Sequence, residues 1–325
     1  MKSKVNIFLA DELHQKGIDL LKKNFNVIPV TSLNNSALVG RLKKLSPKNN
    51  TSDDALIVRS VRSVNNDFLQ KTAKFTNISL ICTVSAGFDN IDTKAAADCG
   101  IDVMNVAGAN STSAAEFTFG LILAAAKNLI PANNEMFKGK FDYSKYYNTE
   151  LSDKTLGIIG LGRIGSKVAK LAKAFGMNIL GNDINPKLKN KYPFVKFISL
   201  EKILMLSDIL TIHTPLDSST HYIINKRNIT KLRKNAILIN TARGGVIEEA
   251  ALIASLKSNK LRYACVDVFE NEPGFNKKLL KYKNLIITPH LAGKTAESKL
   301  RMGTEAAKKV IQYFSKSRRS HELID

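Results

Sequence analysis

"TLGIIGLGRIGSKVAKLAKAFGMNILGND", residues 155–183, decides how this chain folds. A short apolar run leads into Gly160-Leu161-Gly162-Arg163-Ile164-Gly165, a helix-period segment follows, and a second apolar run closes on Asp183. A Gly-x-Gly-x-x-Gly string is weak by itself, but between a strand and a helix it describes a phosphate cradle. Gly160 permits the tight turn, Gly162 lets the backbone approach a pyrophosphate, and Gly165 lets the helix pack on the strand. The N–H groups of Arg163 and Ile164 open that helix and are expected to point at phosphate oxygens. Asp183 stands where a carboxylate binds adenosine ribose hydroxyls and opposes a 2′-phosphate, so the expected cofactor is NAD.

The motif begins almost halfway along a 325-residue chain, and strands and helices alternate on both sides of it. Upstream, VNIFLA (5–10), NVIPV (26–30), ALIVRS (55–60), LICTVS (80–85) and DVMNV (102–106) read as buried strands. Helical stretches such as GIDLLKKN (17–24) and TKAAADCG (93–100) separate them, giving one open α/β domain that ends near residue 104. STSAAEFTFGLILAAAKNLI (111–130) reads as one long apolar helix with a candidate capping box at Ser113 and Glu116. A polar, aromatic connection, FDYSKYYNTE (141–150), then leads into the second series of strands: TLGIIG, NILGND, ILTIHT, AILINTA, YACVDV and LIITP. TAESKLRMGTEAAKKVIQYF (295–314) reads as a terminal helix.

A chain of this length exceeds what one core supports, so two domains are expected. Hydrophobic residues at 44% and charged residues at 24% match the globular class. The longest apolar run, FTFGLILAAA (117–126), falls short of the ~20 residues that span a bilayer, and VNIFLA is too short for a signal-peptide core. No membrane partner and a cytoplasmic location are therefore expected. Cys82, Cys99 and Cys265 show no paired spacing, so neither a disulfide framework nor a metal site is expected. A net charge of +21 raises the question of a nucleic-acid partner. The lysines are nevertheless scattered, as in NPKLKNKY (185–192) and KKLLKYKN (277–284), and no basic helix carries interleaved aromatics. The reading is a solvated surface that draws in small anions, with no nucleic acid bound.

Three stretches follow later strands, where open α/β sheets place their ligands: NTARGGVIEE with Arg243, DVFENEP with Asp267, Glu270 and Glu272, and TPHLAGKT with His290. Hydride transfer between a nicotinamide and a 2-keto acid needs a cation for the carboxylate and carbonyl, and a proton donor for the forming alkoxide. Arg243 offers a planar fork for the first role. His290 can supply the proton near neutral pH, and a neighbouring carboxylate would stabilise its protonated form.

GLGRIG, Asp183, NTARGG, DVFENEP and TPHLAG, in this order, resemble the D-isomer-specific 2-hydroxyacid dehydrogenases. SAGFDNID (85–92) and NSTSAAE (110–116) extend the resemblance over nearly the whole chain, and the branch acting on 3-phosphoglycerate is the most similar. The resemblance implies an α/β architecture of two open doubly wound domains, a Rossmann NAD-binding domain (105–290) inserted into a flavodoxin-like substrate-binding domain (1–104 and 291–325). Crossings near residues 105–111 and 290–295 would act as hinges. It also implies a homodimer and a small anionic substrate. By the same resemblance, Arg243 would bind and polarise the substrate, and Glu272 rather than Glu270 would pair with His290, the acid/base. Asp267 would hold the nicotinamide carboxamide, Thr214 would contact the cofactor, and the backbone of Ala86 and Gly87 would receive the substrate carboxylate.

Arg59 and Arg62 in IVRSVRSVN (57–65) are the candidate ligands for a substrate phosphate. Two departures bear on the substrate: Thr83 stands where phosphoglycerate enzymes often carry Arg, and the sequence stops at Asp325, without a regulatory extension. Glyoxylate or hydroxypyruvate reduction, oxidation of erythronate 4-phosphate, and an NAD-sensing corepressor that binds peptides are the alternative readings.

Overall fold

The computed structural model describes residues 5–48 and 53–322; Met1–Lys4, at the start of the stretch read for a leader, lie outside the described residues, as do residues 323–325. The chain divides into two compact units, Met1–Asn110 with Thr295–Asp325, and Ser111–Lys294. Both units are α/β.

The first unit holds five parallel strands: β1 (Asn6–Leu9), β2 (Asn26–Pro29), β3 (Asp54–Val58), β4 (Ile78–Thr83) and β5 (Asp102–Asn105). Their order is β2-β1-β3-β4-β5, the flavodoxin-like arrangement. Alternate residues of β1 serve opposite faces: Phe8 packs with Leu56 and Ile81, Ile7 and Leu9 with Ile57 and Leu80. Covered on both faces, β3 is buried along its whole length, and after Asp54 it reads as an unbroken apolar run. β2 and β5 lie at the sheet edges and are half-buried or exposed, correcting the expectation that NVIPV and DVMNV are buried strands.

The terminal helix, Ala296–Glu322, belongs to this unit through a backbone-to-backbone approach. A Cβ added to Gly17, in the helix Gln15–Lys22, would lie 2.4 Å from the carbonyl oxygen of Gly303. Only glycine allows the two helices to come this close. Phe314 packs edge-on against Phe25, and the Tyr313 hydroxyl donates to Asp102 at 2.7 Å.

The second unit holds β6 (Thr155–Ile159), β7 (Asn178–Asn182), β8 (Lys196–Phe197), β9 (Ile209–Ile212), β10 (Ala236–Asn240), β11 (Leu261–Val266) and β12 (Leu285–Ile287). All run parallel in the order β12-β11-β10-β9-β6-β7-β8, the Rossmann order with one further strand. The helix Ser111–Ala126 is largely buried against this sheet. Ser113 is its third residue and is buried, so the expected capping box is not the helix start. The apolar stretch 111–130 is also broken: Asn128 is left-handed at φ +50°, and a second helix, Leu129–Met136, leaves at 63° to the first. Asn128 tolerates that conformation and is anchored there, donating to the carbonyl of Tyr147 and accepting from the Tyr263 hydroxyl. Among the described residues no single helix is long and apolar enough to cross a membrane. Cys82 and Cys265 are core residues, and burial pushes the Cys82 thiol up to about 12.

The two arginines of IVRSVRSVN separate in the structure. Arg62 donates from Nε and Nη2 to both carboxylate oxygens of Asp11, and from Nη2 also to the carbonyl of Ala10. Its Nη1 donates to the carbonyl of Leu33 and to Asn35. The five donors of a guanidinium are all occupied, and the Arg62 and Asp11 side chains are only 10% and 16% exposed. This corrects the expectation that Arg62 binds a substrate phosphate: it is a structural staple. Arg59 keeps its candidacy, because among the described residues nothing hydrogen-bonds its guanidinium. Removing one member of a mostly buried, multiply hydrogen-bonded pair costs about 2 to 4 kcal/mol. Arg62→Ala should therefore lower the urea midpoint of unfolding and affect phosphorylated and unphosphorylated ligands alike. A loss confined to phosphorylated ligands, at unchanged stability, would overturn the staple.

Candidate active site

The glycine turn follows β6, and its three glycines have different reasons to be glycine. Gly160 has φ +86°, and a Cβ there would lie 2.8 Å from the backbone of His213; a Cβ on Gly165 would lie 2.0 Å from the Gly160 carbonyl oxygen. The fold itself demands those two. A Cβ on Gly162 would meet no atom within 4 Å, so internal packing does not require a glycine there. The open space in front of Gly162 is what a pyrophosphate needs. The helix Gly165–Ala174 starts beside it with no side-chain cap, and the N–H groups of Arg163 and Ile164 find no acceptor among the described residues. An anion there would satisfy them.

Asp183 follows β7 directly and is fixed against this turn: Oδ2 accepts from the N–H of Leu161 at 2.7 Å and Oδ1 from that of Asn185 at 2.8 Å. Across the turn, after β9, the Thr214 hydroxyl is buried without a partner, beside Gly160. An orphaned hydroxyl, uncapped N–H groups, an open glycine and a positioned carboxylate together fit a dinucleotide.

The other candidates stand at the ends of three adjacent strands, β10, β11 and β12. His290 Nδ1 lies 2.6 Å from Glu272 Oε2, and Glu272 Oε1 accepts from the N–H of Phe269. Burial pushes the Glu272 carboxyl up, but the hydrogen bonds from His290 and Phe269 and the charges of His290 and Arg243 outweigh it, leaving the group below the usual carboxylate range. Ionised Glu272 makes Nδ1 the donor, so Nε2 is free to exchange a proton with a ligand. The His290 side chain is half exposed, as a proton donor to an incoming molecule must be.

Glu270, two residues from Glu272, faces elsewhere. Its carboxylate accepts from the N–H of Glu249, and the Glu249 carboxylate accepts from the N–H of Glu270, a reciprocal clasp at the start of the helix Glu249–Lys257. Arg243 lies in the turn after β10, within electrostatic reach of Glu272. That turn meets the Glu272 turn backbone to backbone: a Cβ on Gly244 would lie 2.0 Å from the carbonyl carbon of Phe269.

Asp267 is fully buried. Its Oδ1 accepts from Thr288 Oγ1 and the N–H of Leu291, and its Oδ2 from the N–H of Ala292, so its first role is to clamp the turn that carries His290. The expected carboxamide contact has one lone pair left to use, on Oδ2, and can reach it only if the covering turn yields.

In the first unit, the loop after β4 has its carbonyls turned inward. Ser85 Oγ donates to the carbonyl of Gly87 and Asn105 to that of Ala86, while the N–H groups of both residues have no acceptor among the described residues. Asn90 ties this loop to the arginine segment, donating to the carbonyls of Arg59 and Arg62. The sequence reading passed over Asn90 and Asn240, because asparagine near a strand end reads simply as a turn former.

The family model described as D-isomer specific 2-hydroxyacid dehydrogenase, NAD binding domain, matches residues 119–292. The chain is 40% identical over 308 residues to a protein named D-3-phosphoglycerate dehydrogenase from Methanocaldococcus jannaschii, covering 94% of this chain and 57% of that protein. It therefore spans little more than half the length of the phosphoglycerate dehydrogenases it matches first. It is 39% identical over 262 residues to a hydroxypyruvate reductase of Thermotoga maritima, covering 80% of this chain and 84% of that one. Among solved structures it is similar to a D-lactate dehydrogenase from Aquifex aeolicus complexed with NAD and lactic acid: TM-score 0.82, 30% identity, 96% of each chain covered.

The two glutamates give a direct test in NADH-dependent reduction of a 2-keto acid. Held below the usual range, Glu272 contributes its charge throughout neutral pH and loses it only as pH falls through its lowered value. Glu272→Gln should lower kcat/KM at pH 7.5 by roughly 10- to 100-fold, with activity falling away at lower pH than in the parent protein. Glu270→Gln keeps an acceptor for the Glu249 N–H and should change it by no more than about threefold. A larger effect from Glu270→Gln would reverse the assignment.

Proposed function

The chain belongs to the D-isomer specific 2-hydroxyacid dehydrogenase family, and from that premise we propose that it transfers a hydride between NAD(H) and a D-2-hydroxy acid/2-keto acid pair. The proposed pair is 3-phosphoglycerate and 3-phosphohydroxypyruvate, which would place the protein at the entry to serine synthesis. In this reading the second unit is the dinucleotide-binding domain and the first the substrate-binding domain. The observation that carries the reading is the 2.6 Å pair of His290 and Glu272 beside Arg243, on the same sheet as a glycine turn suited to pyrophosphate.

NADH, when bound, supplies the hydride to the carbonyl carbon. The guanidinium of Arg243 binds the keto acid and draws electron density toward the carbonyl oxygen. His290 gives its Nε2 proton to that oxygen as the alkoxide forms, and the resulting neutral imidazole keeps its Nδ1 hydrogen bond to Glu272. In the oxidative direction Nε2 takes the proton back. The N–H groups of Ala86 and Gly87 have the character of a carboxylate receptor, and Arg59 is the ligand proposed for a phosphate.

Reduction of hydroxypyruvate is the second reading, favoured by Thr83 and by the relative whose length this chain matches more fully. A panel of 3-phosphohydroxypyruvate, hydroxypyruvate, glyoxylate, pyruvate and 2-oxo-3-hydroxy-4-phosphobutanoate, followed by NADH oxidation, separates the readings. No turnover of any of them would favour a binding protein instead. Arg59→Ala should reduce kcat/KM for 3-phosphohydroxypyruvate by roughly 10- to 150-fold, the worth of one charge-assisted contact, while hydroxypyruvate changes by less than about threefold. Equal losses, or none, would make the glyoxylate or hydroxypyruvate reading the better one.

The proposed partner is a second copy of the chain. The helix Leu129–Met136 has no buried residue, and Phe137, Phe141, Tyr143 and Tyr147 after it are each more than 80% exposed. An eight-residue helix is not stable without tertiary support, and so many exposed rings in one segment mark an interaction surface. Light scattering on the intact protein should give the mass of a dimer, and Phe137→Glu with Phe141→Glu should give that of a monomer. A monomeric parent protein would remove the proposal.

A further inference from the structure

Asn240, the last residue of β10, has no part in the mechanism above, yet its side chain touches the turn that carries Arg243 and is 1% exposed. We propose that Asn240 is a positioning residue that sets where Arg243 presents its guanidinium. Its Oδ1 accepts from the N–H of Ala242 at 3.0 Å, and its Nδ2 donates to the carbonyl of Arg243 at 2.8 Å. A donor and an acceptor facing it from the same turn fix the orientation of the amide. Its own carbonyl accepts from the N–H of Asp267 at 3.0 Å, and the Asp267 carbonyl accepts from the N–H of His290 at 2.8 Å. The residue that shapes the arginine turn is thus also the backbone origin of the clamp on the histidine turn.

No other side chain reproduces this fork. Aspartate keeps the acceptor for Ala242 but sets a second oxygen against the Arg243 carbonyl. Leucine leaves the N–H of Ala242 unpaired and the carbonyl of Arg243 with only the long contact from the N–H of Val246 at 3.5 Å, in a place where an unmade hydrogen bond is costly. Serine can serve one side only. β10 itself does not depend on the amide, because it is held by backbone pairing to β9 and β11. The substitution is therefore expected to act on the turn and leave the sheet intact.

The inference rests on the proposed keto-acid reduction, and a double-mutant cycle with Arg243→Ala tests it. Asn240→Asp should lower kcat/KM for the keto acid by roughly 10- to 100-fold, while NADH affinity, read by fluorescence without substrate, changes by less than about threefold. In the Arg243→Ala background, where no guanidinium remains to be placed, the same substitution should cost less than about threefold. Should Asn240→Asp not fold, Asn240→Ser is carried through the same cycle. Equal losses in the two backgrounds, or an equal loss of NADH affinity, would overturn the role of Asn240 and leave the proposed activity standing. A parent protein that reduces no 2-keto acid removes both.

Discussion

Every strand of the seven-stranded sheet runs parallel to its neighbours, and this constraint brings the chemistry together. Parallel strands need return connections across the sheet, so every carboxyl end faces one edge. The turns after β6, β9, β10, β11 and β12 emerge there, carrying the glycine turn, Thr214, Arg243, Glu272 and His290 in succession. β6 lies between β7 and β9, so the chain leaves it in opposite directions in the two halves of the sheet, and the turns part. The open space in front of Gly162 lies at that parting.

Two histidines follow strands at this edge, and their surroundings give them opposite characters. Burial holds His213 down at about 3, so its imidazole is neutral at physiological pH; Nε2 pairs with Thr211 and Nδ1 has no partner. It carries no imidazolium proton to give at that pH. His290 differs in its setting: its side chain is half exposed, and its Nδ1 lies 2.6 Å from a Glu272 carboxylate oxygen. Its backbone sits at φ +54°, a conformation uncommon outside glycine and one that the Asp267 carbonyl and carboxylate hold in place. Sequence order does not distinguish two histidines at strand ends; burial does.

Much of this fold is legible in local pattern because its determinants are local. Buried parallel strands read as unbroken apolar runs, and the glycine turn needs its glycines within six residues. The misreadings come from contacts distant in sequence. NVIPV and DVMNV look like central strands, but strand order leaves them at the edges. Arg59 and Arg62 follow the same strand with the same flanking residues, and their side chains differ because Asp11, Ala10, Leu33 and Asn35 converge on the guanidinium of Arg62, whereas Asp11 takes only the backbone N–H of Arg59. Glu270 and Glu272 are equally acidic in the sequence, and composition cannot choose between them. The choice came from the resemblance, and its physical basis is that Glu249 engages Glu270.

The chain carries 49 basic and 28 acidic residues, and ion pairs such as Lys71–Asp67 and Lys308–Glu305 are exposed, worth ~0.2 to 1 kcal/mol each. The excess charge is therefore a field around the molecule, one that enriches small anions at low ionic strength. A site for anionic ligands must still contain acids, and here each of them is committed to the chain's own donors. Asp183 takes the N–H groups of Leu161 and Asn185, Asp267 takes three donors, Glu270 takes the N–H of Glu249, and Glu272 takes Phe269 and His290. These hydrogen bonds hold each carboxylate at a fixed place, so the acids shape the turns of the site while the surrounding field brings small anions toward it.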